Sequence, residues 1–275
     1  MKSAIILRNI ILLFLICSIS ALCQWNIDVV NNSGNVGLYS SIDFDSTGNP
    51  HIVYQNASSH DLQYSRWDSL GWVVELVSAG SSSIRYGQYC DIKLDKDGYP
   101  HISYLDSRYP SSAAGPCYSY KNESGWHHNR DYIWDGVSTI GSYCSIDLYY
   151  DIGSDITIPF IAFQFKGLCM AKKDTSGNIV WERIDASSAT GRWTSIGVLN
   201  QDNIFISYYD VNGQDLKLAF YNGIGWTTEI IDTTGNSGMY SSLELDENGN
   251  PLITYYQILP GETEGRLVYT TWNNR

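Results

Sequence analysis

Residues 37–72, GLYSSIDFDSTGNPHIVYQNASSHDLQYSRWDSLGW, carry the pattern that decides the fold. Short runs of alternating or wholly apolar residues, Ser40 to Phe44, His51 to Tyr54 and Leu62 to Trp67, are separated by clusters of Gly, Asn, Asp and Ser, and a fourth run follows from Trp72 to Val77. Runs of this length between turn residues read as β-strands, and connections this short make neighbouring strands antiparallel. Asp45-Ser-Thr-Gly48 reads as a hairpin turn that Asp opens and in which Gly supplies a positive φ.

The unit, about fifty residues long, recurs. Gly87-Gln-Tyr89 followed by CDIKLDKDGYPHISY begins a second copy, and Gly238-Met-Tyr240 followed by SSLELDENGNPLITY begins the fifth. Gly141-Ser-Tyr143 with CSIDLYY and PFIAF, and Gly191-Arg-Trp193 with TSIGVL and IFISYYD, are the third and fourth. Sheets of four strands repeated radially make a β-propeller. The ends fit a closed ring. Trp25 to Val30 matches the fourth strand of the unit and Leu267 to Trp272 the third, so the last copy lacks a fourth strand and the N-terminus carries a spare one. The expected fold is therefore all-β: a five-bladed β-propeller with four antiparallel strands per blade, closed when the N-terminal strand completes the last blade and removes its open edge.

Lys2 and Arg8 precede an apolar run from Ile10 to Ile16 that ends in small residues and Ala21-Leu-Cys23-Gln24. This reads as a signal peptide over 1–23, leaving a single domain over 24–275. The expected location is secreted, periplasmic or at the cell surface, with no membrane span in the mature chain. The sequence carries a formal net charge of −12, and loss of Lys2 and Arg8 with the leader makes it more acidic still. Such a surface argues against nucleic acid as a partner.

Cys90 and Cys144 hold one repeat position at the start of the first strand, and Cys117 and Cys169 another at the start of the third. In an exported chain this suggests disulfides. Equivalent strands of neighbouring blades lie too far apart for Cys117 to meet Cys169, so pairing within blades, Cys90 with Cys117 and Cys144 with Cys169, is the favoured arrangement and buried thiols the alternative. Since two strand spacings of about 4.8 Å separate those strands, the third would have to curl over the second.

Every copy places Gly and then an aromatic before its first strand: Tyr39, Tyr89, Tyr143, Trp193 and Tyr240. After the second strand stand Gln55, Asn56, Asp106, Gln164, Tyr209, Asp210, Tyr256 and Gln257. Rings beside short amides and carboxylates suit a sugar, whose C–H face a ring covers while polar groups bind its hydroxyls. The same chemistry serves protein interfaces, and an aromatic repeated in every blade also serves as a wedge between sheets. The expected ligand set is Tyr39, Tyr89, Tyr143, Trp193, Tyr240, Asp106, Tyr209, Asp210, Tyr256 and Gln257, with no cofactor and no metal.

Along the first strands, Asp43, Lys93, Asp147, Gly197 and Glu244 share one position, and Ser41, Asp91, Ser145, Ser195 and Ser242 another. Were they to converge on an axis, they could supply the paired acids of a glycosidase, about 5 to 9.5 Å apart. Asp43, Asp45, Thr47 and Gly48 also follow calcium-loop spacing, as do Glu244, Asp246, Asn248 and Gly249, although an ordinary hairpin explains both and Lys93 breaks the pattern. His51, His101 and the His127-His128 pair have no ligand-like spacing and read as structural.

The repeat, [IL]-x-[LF]-D-x-x-G-x-P-x-I-x-Y followed by L-x-Y and Gly-Trp, resembles the tandem repeats of secreted bacterial β-propeller proteins. In architecture it is similar to five-bladed lectins of the tachylectin-2 type and to sialidase-like propellers, but it lacks the Ser-x-Asp-x-Gly-x-x-Trp box and arginine triad of the sialidases. The resemblance implies an exported, non-catalytic propeller that binds a glycan or glycoprotein on its loop face. The alternatives are a scaffold for an envelope protein partner and a glycoside hydrolase using Asp43, Asp91, Asp147 or Glu244.

Overall fold

A computed structural model describes residues 26–108, 115–129, 142–174, 176–187 and 189–272. The leader expected over 1–23, Trp25 and the middle of the 106–116 loop lie outside them. Every regular element described is a strand. Sheet one is β1 (Val36–Phe44), β2 (Pro50–Asn56), β3 (Asp61–Asp68) and β4 (Gly71–Ser78). Sheet two is β5 (Ile84–Leu94), β6 (Pro100–Arg108), β7 (Gly115–Asn122) and β8 (Gly125–Asn129), and sheet three is β9 (Ser142–Asp151), β10 (Ile156–Gln164), β11 (Leu168–Lys173) and β12 (Ile179–Asp185). Sheet four is β13 (Thr190–Asn200), β14 (Asn203–Asp210), β15 (Asp215–Tyr221) and β16 (Trp226–Asp232), and sheet five holds β17 (Asn236–Leu245), β18 (Pro251–Ile258) and β19 (Gly265–Thr271). Within each sheet the strands pair antiparallel in sequence order.

The first strand of each sheet packs on the first strand of the next: β1 on β5, β5 on β9, β9 on β13 and β13 on β17. A cluster of buried side chains fills each of these four junctions. Leu62 and Tyr64 of sheet one meet Ile92 and Tyr104 of sheet two, and Leu216 and Leu218 of sheet four meet Leu243 and Ile253 of sheet five. Alternation drives this packing, because successive strand residues point to opposite faces and the apolar set of each face covers the adjoining sheet.

The two ends depart from the expected closure. Sheet five has three strands, and residues 26–30 have no strand partner, with Ile27 and Val29 exposed. Asn31 instead ties the end of this segment to sheet one, its Nδ2 donating to Tyr54 Oη at 3.0 Å and to Gln63 Oε1 at 3.1 Å. Among the described residues no packing comparable to the other four junctions joins β17 to β1.

The expected disulfides are corrected as well. Cys90, Cys117, Cys144 and Cys169 are buried thiols. Cys90 Sγ donates across the junction to the Tyr39 carbonyl at 2.8 Å, and Cys169 Sγ donates to the Phe165 carbonyl at 3.4 Å. The intervening strand keeps the first and third strands apart, and Cys90 is turned toward the neighbouring sheet rather than its own third strand. Burial raises the Cys90 and Cys144 thiol pKa values well above the usual range and pushes that of Cys169 up to about 11.

Candidate functional site

A repeated irregularity aims the aromatic residues. In β1 the pairing with β2 slips between Leu38 and Ser41, and equivalent slips occur at Gln88/Asp91, Arg192/Ser195 and Met239/Ser242. Each is a β-bulge, which bends its strand and re-aims a side chain. The first of the two bulge residues is the aromatic, and it takes a left-handed backbone: φ is 54° at Tyr39, 51° at Tyr89, 58° at Tyr143, 49° at Trp193 and 56° at Tyr240. Two residues earlier, Gly37 has φ 93°, which a side chain would resist.

The bulges bring all five aromatics to one funnel of about 360 Å³. Consecutive rings touch, with centroids 5.0 Å apart for Tyr39 and Tyr89, 4.7 Å for Tyr89 and Tyr143, 5.3 Å for Tyr143 and Trp193, and 4.8 Å for Trp193 and Tyr240. Burial, together with the adjoining Tyr143 and Tyr39, pushes the Tyr89 pKa up to about 12. Tyr39 and Tyr240, at the two ends of the row, are the most exposed of the five.

Below the rings the same strands staple the sheets together. Ser41 Oγ donates to Asp91 Oδ1 at 2.7 Å, and Asp91 Oδ2 accepts from the Ile146 amide at 3.0 Å. Ser145 Oγ then accepts from the Ile196 amide at 2.8 Å, and Ser195 Oγ from the Leu243 amide at 2.9 Å. One step deeper, Asp43 Oδ2 accepts from the Leu94 amide and Asp147 Oδ2 from the Val198 amide, both at 2.7 Å. Lys93 lies among these carboxylates. Its burial disfavours the charge, but Asp147, Glu244, Asp91 and Asp43 outweigh that and its pKa is raised. Burial also raises the Asp91 carboxyl, against Ser41 and the Ile146 amide, and the Asp147 carboxyl, against Lys93.

The residues after the second strands are placed differently. Asp106, Tyr209 and Gln257 are buried. Tyr209 Oη donates to Asn236 Oδ1 at 2.7 Å and its ring meets Trp193, while Gln257 Nε2 donates to Asp232 Oδ2 at 2.5 Å. Tyr256 is half-buried with its ring 6.4 Å from Tyr240, and Asp210 is half-buried at the end of β14, its Oδ1 accepting from the Asn212 amide at 3.0 Å. Thus the five bulge aromatics share one funnel, Tyr209 and Tyr256 back two of them, and Gln257 is tied to Asp232 at the end of sheet four.

The turn carboxylates with calcium-like spacing serve their own hairpins. Asp45 Oδ1 accepts from the amides of Thr47 and Asn49, both at 2.9 Å, and Asp246 Oδ1 from those of Asn248 and Asn250, both at 2.8 Å. The side chain and amide of Asn49, with Thr47, hold the Asp45 carboxyl well below the usual range. His51 Nδ1 meets Tyr64 Oη at 2.5 Å and His101 Nδ1 meets Tyr118 Oη at 2.6 Å, all four side chains being buried.

No protein-family model and no curated protein matches the chain. Among solved structures it is similar to a protein of unknown function from Dyadobacter fermentans, at 11% identity and a TM-score of 0.56 over 84% of this chain and 75% of that one. It is also similar to the Aleuria aurantia lectin in complex with Fucα1-6GlcNAc, at 10% identity and a TM-score of 0.52 over 86% and 78%. A Bacillus subtilis arabinanase matches at 13% identity and a TM-score of 0.48 over 86% and 94%. At such identities a likeness speaks to fold, and the first two support an all-β propeller of antiparallel sheets. The expectation of a non-catalytic glycan-binding propeller does not stand against these comparisons, in which glycoside hydrolases, among them an arabinofuranosidase, arabinanases, a galactosidase and a galactanase, stand beside the lectin; at TM-scores of 0.46 to 0.49 they assign no role to this chain.

Proposed function

We propose that the five sheets are the blades of one ring and that the chain is a glycoside hydrolase, with a saccharide seated on the aromatic funnel and cleaved by channel carboxyls. The observation that carries this reading is Asp91, a carboxyl on the funnel floor whose pKa burial raises. A carboxyl with a raised pKa is the kind that can hold a proton for a leaving group. Asp147 is its partner. The Ile146 amide donates to Asp91 and the Leu148 amide to Asp147. Those amides lie two residues apart on β9, so both carboxyls are held against one stretch of the same strand.

In the reaction, Asp91 gives its proton to the glycosidic oxygen as the C–O bond breaks. Asp147, in its ionised form beside Lys93, takes a proton from the water that adds to the sugar carbon. Tyr39, Tyr89, Tyr143, Trp193 and Tyr240 present their faces to the sugar C–H groups, and an exported location suits a polymer substrate. The test is release of reducing sugar from a panel of plant and bacterial polysaccharides that includes arabinan and galactan. Asp91→Asn and Asp147→Asn should each lower turnover by at least about 100-fold while the circular dichroism spectrum is retained. Wild-type inactivity across the panel, or full activity of both variants, would overturn the reading.

A further inference from the structure

The residue between the glycine and the aromatic of each bulge differs from sheet to sheet: Leu38, Gln88, Ser142, Arg192 and Met239. In sheets two and three it is polar and is used within the sheet. Gln88 Oε1 accepts from Ser107 Oγ at 2.7 Å, and Ser142 Oγ donates to Gln164 Oε1 at 3.4 Å, so each ties the first strand to the end of the second. Arg192 makes no such tie. It lies opposite Tyr209 in the β13–β14 register, but Tyr209 Oη is bonded to Asn236, and the neighbouring Asp210 accepts from the Asn212 amide of its own turn. Among the described residues the buried Nε of Arg192 has no hydrogen-bond partner and its guanidinium no carboxylate. Two other arginines are engaged by contrast: Arg66 stands beside Glu75 at 3.8 Å, and Arg266 Nε donates to Gln257 Oε1 at 2.7 Å.

Position and charge set this arginine at the mouth of the funnel. It directly precedes Trp193, a ring of the row, on the strand that runs on to Ser195 below. Burial raises the pKa of Tyr209 and of Tyr89, and at both hydroxyls the Arg192 charge opposes the rise. Tyr209 belongs to sheet four and Tyr89 to sheet two, so a charge acting on both lies on the funnel side of β13. A guanidinium is a planar fork of N–H donors that matches a carboxylate with two parallel bonds. With no acceptor in its own sheet, Arg192 gains from any acceptor that enters. The remaining charges of the funnel narrow the choice. Asp91 is on its floor, and Asp147, Glu244 and Asp43 surround Lys93, so an anion is favoured only at the mouth beside sheet four. The net charge of −12 opposes a densely charged polyanion, whereas one carboxylate on an otherwise neutral saccharide meets Arg192 within a Debye length of about 8 Å.

We infer that Arg192 selects a saccharide bearing a single carboxylate, a uronic acid, and holds that carboxylate at the mouth of the funnel beside Trp193. The inference rests on the proposal that a saccharide occupies the funnel, and adds to it a substrate class and a direction. The acidic sugar lies toward sheet four, away from the carboxyls of the floor. Arg192 acts on specificity, and bond cleavage is left to Asp91 and Asp147.

Isothermal titration calorimetry tests it with sulfur-linked disaccharides of one glucuronic or galacturonic acid and one neutral sugar, which resist hydrolysis, and with their methyl esters. Wild type should bind at least one of the acids at least about tenfold more tightly than its ester, as a charge-assisted pair demands. Arg192→Gln should bind acid and ester alike, and Arg192→Lys, which keeps the charge but not the fork, should fall between. Both variants should retain the circular dichroism spectrum, since Arg192 holds no other group of the described protein. Equal binding of acid and ester by wild type, binding of neither, or a preference that survives Arg192→Gln would overturn the inference. Because binding is read rather than turnover, the two proposals fail separately. A wild type that prefers the acid yet releases no reducing sugar from any polysaccharide sinks the hydrolase alone, whereas one that cleaves neutral glycans equally well as Arg192→Gln and shows no preference for acid sinks this inference alone.

Discussion

Replacing Ser145 by Ala removes one acceptor and little else. The hydroxyl accepts from the Ile196 amide across the junction between sheets three and four, and both residues are buried. Without it a buried N–H has no acceptor, which costs about 1–3 kcal/mol. A methyl in place of the hydroxymethyl leaves no space of consequence, so no cavity adds to the cost. In a chain of this length each kcal/mol moves the thermal midpoint by about 2–4 °C, giving an expected fall of about 2–12 °C. Urea unfolding followed by circular dichroism should show a lower midpoint with an unchanged slope, since the surface exposed on unfolding is the same. Ser46→Ala, in the exposed β1–β2 turn, is the control and should stay within about 0.5 kcal/mol. If Ser145→Ala costs no more than the control, the serines below the funnel do not staple the sheets and the account of the axis fails.

Burial raises the Asp147 carboxyl, so the folded state holds its proton over a window, beginning near the unfolded value, in which the unfolded chain has released it. The stability of wild type relative to Asp147→Asn should therefore fall as pH rises through that window, and urea midpoints from pH 3.5 upward that diverge in wild type's favour would reverse the sign argued here. A thiol reagent should find almost nothing reactive in the folded 24–275 chain and four thiols once it is unfolded without reductant; two or fewer would mean disulfides. Gly191→Ala should destabilise by well over 1 kcal/mol, because φ is +88° and the new Cβ would meet Leu168 Cα at 2.9 Å. Gly37→Ala, where the same Cβ has open space, should cost about 1 kcal/mol, and equal thermal midpoints for the two variants would contradict the close approach at Gly191.

The sheets were legible because each strand advertises itself twice, by alternation and by the Asp and Gly of the turn that follows. The row of five aromatics was legible as a motif, but its geometry was not. Gly37 signals a positive φ through its identity, whereas the left-handed backbone at Tyr39 is imposed by the bulge and leaves no mark in residue type. The carboxylates on the first strands were visible at shared positions, yet their oxygens already accept from main-chain amides of the adjoining sheet, which a residue list cannot reveal. Cysteine spacing suggested bridges for a related reason. Cys90 and Cys117 do share one buried cluster, but which way a thiol turns depends on the neighbouring sheet. The function was the least legible, because one fold hosts many unrelated functions and the sequence carries no catalytic motif.

A bulky residue with a left-handed backbone is uncomfortable, by roughly 1–2 kcal/mol, and glycine in its place would be relaxed. The five aromatics keep that posture at five equivalent points. Their backbone would be content without them, so each ring is an interchangeable fitting on a fixed mount. A set of variants at these five positions could therefore retune what the funnel accepts while the sheets beneath keep their shape.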